Sequence, residues 1–267
     1  MCIFVVKIDC MIGAIIGDIV GSTYEFSNTK DYDFEMFPKG ASYTDDSICT
    51  IAVADAILRK VPYRDSLIEW CRRYPNPKGA YGCSFVRWIH SEDPQPYGSY
   101  GNGSAMRVAA VGWAFDESSL VMEEAKKSAE CSHSHVEGIK GAQAIALAIH
   151  HMVRLKGQKE DVADICRQFY GTDYETRLPR RGAWNETCQG CVPLALHLFL
   201  QSDSFEDALR KAVSYGGDSD TMGAIVGSLA EAYYGIPQNN LKIAFSYLPK
   251  DILDVVQKFR EQFVLCG

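Results

Sequence analysis

Residues 216–237 read GGDSDTMGAIVGSLAEAYYGIP, and this stretch decides the fold class. Met222, Ile225, Val226, Leu229 and Tyr233 recur three or four residues apart, which places them on one face of a helix. Gly235-Ile236-Pro237 ends it, because glycine suits the C-terminal turn and proline cannot continue the ladder. The same period appears on both sides of this segment. Ile48, Ile51, Ala54 and Leu58 define a helix over about 47–60, and 103–115 and 118–130 behave similarly. Ile139, Ala142, Ile145, Ala146 and Ile149 share one side of 136–156. Further helices are expected over 160–170, 190–200, 204–214 and 251–263. Alternating patterns with hairpin signals are nearly absent, so the fold class is all-α.

Many alanines, glycines and serines lie inside these helices. They permit close backbone approach and favour a compact, many-helix globule over a four-helix bundle. Long loops are expected around 27–43, 74–80, 91–102 and 171–189. No Pro/Ser/Gly linker or internal repeat divides the chain, so residues 11–267 form one domain. Residues 1–10, MCIFVVKIDC, precede a second methionine, Met11, where the patterning begins, and are read as an N-terminal extension.

The 267 residues include 34 acidic and 27 basic side chains, a net charge of -7, with 47% apolar and 23% charged residues. That composition is globular, and the acidic balance leaves no electrostatic footprint for nucleic acid or an anionic membrane. No apolar run approaches the roughly 18 residues of a membrane span, and no signal-peptide pattern is present. The ten cysteines lack regular spacing and are read as reduced thiols in the cytoplasm. Cys188 and Cys191 form a CxxC pair without the second pair that structural zinc needs, so they are expected to be core thiols.

Two acidic clusters carry the chemistry. Thr44-Asp45-Asp46-Ser47 precedes one helix, and Asp218-Ser219-Asp220-Thr221 precedes another. N-capping is one reading, since Asp, Ser and Thr satisfy free amides at a helix start. One cap needs one side chain, however, and each cluster supplies two carboxylates and a hydroxyl beside apolar helix. If the two helix starts converge, four carboxylates share a pocket and a cation must neutralise them. Oxygen ligands select a hard ion such as Mg²⁺ or Mn²⁺, and four carboxylates suit two ions better than one.

Glycines 13, 17 and 21 lay a bare stripe along a helix that leads to Glu25, open to a backbone or a ligand. Glu25 is read either as a metal ligand or general base, or as a surface residue. Gly101-Asn102-Gly103-Ser104 precedes a helix and is either a phosphate-binding loop or a plain turn. Ser132-His133-Ser134-His135 either presents imidazole to a phosphate or ribose, or caps the next helix.

These segments, in this order, resemble the ADP-ribosylglycohydrolase family, which includes dinitrogenase reductase-activating glycohydrolase and the ADP-ribosylhydrolases. The matching motifs are GDIVGSTYEF at 17–26, YTDDS at 43–47, GNGSAMR at 101–107, SHSHVEG at 132–138 and GGDSDT at 216–221. The resemblance implies an orthogonal, all-helical globule with two Mg²⁺ or Mn²⁺ ions held by Thr44, Asp45, Asp46, Asp218, Asp220 and Thr221. It implies Glu25 and Asp46 as catalytic residues, Gly101, Asn102, Gly103 and Ser104 as a diphosphate-binding element, and His133 as a contact to ADP-ribose. Asp18 matches a motif and is expected to make a buried structural hydrogen bond. The expected partner is an ADP-ribosylated protein or a small molecule containing ADP-ribose, such as O-acetyl-ADP-ribose. Ser99 stands where the arginine-specific branch tends to carry Asp, which favours serine, poly(ADP-ribose) or O-acetyl substrates. Two rival readings are a non-catalytic nucleotide binder and a metal-dependent phosphohydrolase. The latter needs a β-strand before Asp218, where this chain is helical.

Overall fold

A computed structural model describes residues 10–263. The expected extension therefore falls almost wholly outside the described residues; its last residue, Cys10, is fully buried. Fourteen α-helices are present among the described residues: α1 (Ile12–Gly21), α2 (Asp45–Arg59), α3 (Tyr63–Arg73), α4 (Cys83–Ile89), α5 (Gly103–Met106), α6 (Ala109–Ala114), α7 (Ser118–Glu130), α8 (Val136–Arg154), α9 (Lys159–Tyr170), α10 (Cys188–Leu200), α11 (Phe205–Tyr215), α12 (Ser219–Tyr234), α13 (Gln238–Phe245) and α14 (Lys250–Phe263). Two isolated bridges, Thr44 with Lys78 and Gly101 with Thr187, are the extended pairings among these residues. None of these helices is long and apolar enough to cross a membrane.

The helix that decided the fold class, α12, is buried along nearly its whole length and packs antiparallel against α1. Glycine makes this contact possible. A Cβ on Gly17 would lie 1.8 Å from the Gly223 carbonyl oxygen, and Cβ atoms on Gly13 and Gly21 would each lie 2.2 Å from the carbonyls of Gly227 and Ser219. The stripe at 13, 17 and 21 thus meets a second stripe at 223 and 227, and backbone, not ligand, fills the gap. At the far end the Gly13 amide donates to Glu231 Oε2 at 2.8 Å. The near end leaves the exit of α1 beside the entry of α12.

The expected segment 103–115 divides into α5 and α6, with Arg107 and Val108 between them. At this break the Thr50 hydroxyl donates to the Met106 carbonyl at 3.4 Å. Three helices were not anticipated. α3 buries Tyr63, Leu67, Trp70 and Cys71 on one face, a helical spacing that was present in the sequence. α4 and α13 are only 7 and 8 residues long, too short for periodicity to stand out. Cys188 and Cys191 are buried free thiols.

Candidate metal centre

The site forms where three helix ends meet. Asp18, near the end of α1, is fully buried and holds the start of α2: it accepts from the Thr44 amide at 2.9 Å, the Thr44 hydroxyl at 2.7 Å, the Ser47 amide at 3.0 Å and the Ser47 hydroxyl. This is the structural hydrogen-bonding role expected of Asp18. The glycine contact sets α12 against α1 in the same place, so the starts of α2 and α12 face one another. Thr221 Oγ1 donates to Asp46 Oδ2 at 3.3 Å, joining the two directly.

Carboxylate oxygens of Asp18, Asp46 and Asp220 lie within 4.8 Å of one another, as do those of Glu25, Asp218 and Asp220. Asp220 belongs to both groups. Asp45 is half-buried beside them and belongs to neither. Capping does not explain the aspartates. The N-cap of α2 is Thr44, whose hydroxyl accepts from the Asp46 amide at 3.2 Å, and Asp218 occupies the N-cap position of α12 without a side-chain cap bond.

Electrostatics mark the cluster as incomplete. Burial, with repulsion between neighbouring carboxylates, pushes Asp46, Asp218 and Asp220 well above the usual carboxylate range. Burial also raises Asp45. Glu25 is pushed up to about 7 by burial and by the Asp218 charge, and Asp18 to about 6 by burial. Lys78 is the cation that acts on Asp18, Asp220 and Glu25, and burial lowers its own pKa. Its ammonium donates to the Gly40 carbonyl at 2.6 Å. Two buried oxygens, Glu25 Oε2 and Asp46 Oδ1, have no hydrogen-bond partner among the described residues. Orphaned carboxylate oxygens in an all-oxygen, acidic setting fit a hard divalent cation.

The glycine-rich loop adjoins this cluster. Asn102 Nδ2 donates to Asp218 Oδ2 at 2.6 Å, so one predicted loop residue supports a predicted ligand. The loop is pinned by the Asn102 amide on the Glu186 carbonyl at 2.7 Å, and the Ser104 hydroxyl donates to the Gly138 carbonyl at 2.7 Å. His133 is buried, with Nδ1 2.8 Å from Ser132 Oγ. A Cβ on Gly103 would lie 3.0 Å from its Nε2, so the imidazole packs directly under the loop.

Sequence reasoning missed Lys78 and Gly79, which lie in an irregular loop without local pattern. A Cβ on Gly79 would come within 2.8 Å of Glu25 Oε2. It also missed the load on Asn102, since nothing in GNG announces a carboxylate partner.

Fold and site together define an all-helical protein with a buried cluster of carboxylates beside a glycine-rich loop. The chain belongs to the ADP-ribosylglycohydrolase family, whose profile matches residues 8–263, a family of hydrolases acting on glycosyl bonds. It is similar to ADP-ribosylhydrolase ARH3 of Mus musculus, with 27% identity over 86% of this chain and 84% of the relative. It is also similar to ADP-ribosyl-[dinitrogen reductase] glycohydrolase of Rhodospirillum rubrum, with 24% identity over 94% and 92%, and to ADP-ribosylarginine hydrolase Tri1 of Pseudomonas putida, with 24% over 88% and 73%. Among solved structures, an ADP-ribosylglycohydrolase-related protein complex superposes with a TM-score of 0.74 at 23% identity, covering 97% of this chain and 98% of that one.

Proposed function

We propose that this protein hydrolyses the bond at the anomeric carbon of ADP-ribose, in ADP-ribosylated protein or O-acetyl-ADP-ribose, with two Mg²⁺ or Mn²⁺ ions. The observation that carries this reading is the pair of three-carboxylate groups sharing Asp220. Asp46, Asp218 and Asp220, with Thr44, Asp45 and Thr221 around them, would hold the ions. When bound, such ions neutralise the carboxylates and act as Lewis acids toward the ribose hydroxyls and water.

The chain's own residues do the rest. Glu25 is half-buried and has one orphaned oxygen, which suits a base that takes a proton from the attacking water. The acidic wall favours the positive, oxocarbenium-like character that develops at the anomeric carbon as the leaving group departs. The amides of Gly101 and Asn102 are bonded to Ser99 Oγ and to the Glu186 carbonyl. Those of Gly103 and Ser104 have no partner among the described residues and are free to hold the diphosphate. The described cysteines are free thiols, in keeping with a reducing compartment such as the cytoplasm.

A panel of ADP-ribosylated arginine and serine peptides, O-acetyl-ADP-ribose and poly(ADP-ribose) tests the reading. Release of ADP-ribose with Mg²⁺ or Mn²⁺, abolished by EDTA and by Asp218→Ala, is the expected result. No release from any member, with either ion present, would overturn it.

A further inference from the structure

Arg107 is 1% exposed, and no carboxylate pairs with it among the described residues. A guanidinium keeps its charge in any protein setting, so this buried cation is balanced by dipoles and by the face of the Phe85 ring, 5.9 Å from its Cζ. Its NH2 donates to the Ser128 carbonyl at 2.8 Å and to Ser132 Oγ at 3.0 Å, while its Nε has no partner. Ser132 is fully buried, and its Oγ also lies 2.8 Å from His133 Nδ1. A short line therefore runs from Arg107 through Ser132 to His133 and ends at the glycine-rich loop.

Donor counting gives this line a direction. Arg107 can only donate, so Ser132 Oγ accepts from it. The serine hydroxyl then has one proton, and His133 Nδ1, 2.8 Å away, is a stronger acceptor for it than the neighbouring Cys131 sulfur. If Nδ1 carried the proton instead, the serine proton would be left with the Cys131 sulfur, a weak acceptor, in place of the imidazole nitrogen. The imidazole proton accordingly resides on Nε2, which makes no hydrogen bond to another described residue and lies against Gly101 and Gly103. Both glycines are small where the ring approaches: Cβ atoms there would lie 3.6 and 3.0 Å from Nε2. Burial and the Arg107 charge also disfavour the imidazolium form.

We infer that Arg107 and Ser132 are positioning residues that hold His133 as the neutral Nε2–H tautomer, so that it donates to an acceptor oxygen of ADP-ribose seated on the Gly101–Ser104 loop. This rests on the proposed function for the identity of the ligand. Neither residue touches the ligand; both act through the imidazole.

The test uses the full chain labelled with ¹⁵N-histidine, of which there are 6, with His133→Gln to assign the His133 signals. Long-range ¹H–¹⁵N correlation is expected to show the Nε2–H tautomer in the wild type. Ser132→Ala should redistribute the proton between the two nitrogens. It should also weaken ADP-ribose binding about tenfold by calorimetry in Mg²⁺, a loss of about 1.4 kcal/mol. Glutamine places an N–H near the Nε2 position without any tautomer to select, so Ser132→Ala should change affinity little in the His133→Gln background. An Nδ1–H tautomer in the wild type, or a Ser132→Ala protein with unchanged tautomer and affinity, would overturn the inference. Turnover of the substrate panel together with an Nδ1–H wild type sinks this inference alone. The Nε2–H tautomer with tight ADP-ribose binding but no turnover sinks the proposed activity alone.

Discussion

At the residue scale, the carboxylates of the centre are held together at a cost to the cation-free fold. Asp218 Oδ2 is bonded by Asn102 Nδ2 at 2.6 Å, an interaction that an asparagine carbonyl oxygen can replace. Asp218→Asn should therefore remove a charge without removing the contact, and relieve repulsion with Asp220. In EDTA this variant should melt at least about 2 °C above the wild type, and the order should reverse in Mg²⁺ because a proposed ligand is lost. Thermal scans with and without the ion check both halves, and a lower melting point in EDTA would count against a repulsive cluster. Glu25 has a different expected signature. Glu25→Gln keeps size and polarity but not basicity, so kcat should fall about 10²- to 10⁴-fold with little change in ADP-ribose affinity. Equal losses in both would point to a binding role.

At the element scale, the α1–α12 contact carries the site. The two helices meet backbone to backbone, with Gly17 against Gly223. Gly17→Ala forces a Cβ into a carbonyl that cannot swing away as a side chain could, and should cost about 3 kcal/mol in denaturant unfolding. Gly82→Ala is the control: its φ is -56° and no atom lies within 4 Å of an added Cβ, so the change should stay within about 0.5 kcal/mol. Because the same contact brings Glu25 to Asp218, Gly17→Ala should weaken cation binding as well as stability. Loss of stability with unaltered cation affinity would mean that the site is organised elsewhere. The glycine repeat was legible in the sequence, whereas its partner stripe was not. A period of four says that a face is bare, and only packing says which helix covers it.

At the scale of the whole molecule, the raised carboxylates make stability depend on pH. A carboxyl whose folded pKa lies above its unfolded value favours the fold while protonated. That contribution is fully present below the unfolded pKa, near 4, and is lost as pH rises through the folded one. Glu25 at about 7 and Asp18 at about 6 place their part of the loss between about pH 4 and 7, and Asp46, Asp218 and Asp220, raised well above the usual range, add to it in the same direction. The cation-stripped protein should therefore melt progressively lower across that window, and saturating Mg²⁺ or Mn²⁺ should flatten the slope. A melting point in EDTA that rises with pH from 4 to 7 would contradict these shifts.

The all-helical class, most helix positions and the two acidic clusters were readable in the linear chain, because period, caps and composition are local properties. The splitting of 103–115 was not, and at the break the Met106 carbonyl meets a hydroxyl from Thr50 in another helix. Nor was the place of Lys78, or the bond from Asn102 to Asp218. The decisive step, four aspartates and Glu25 drawn into one space, belongs to tertiary structure. Sequence distance carries no information about which helix starts will meet, and here that is set by where two glycine-lined backbones can touch.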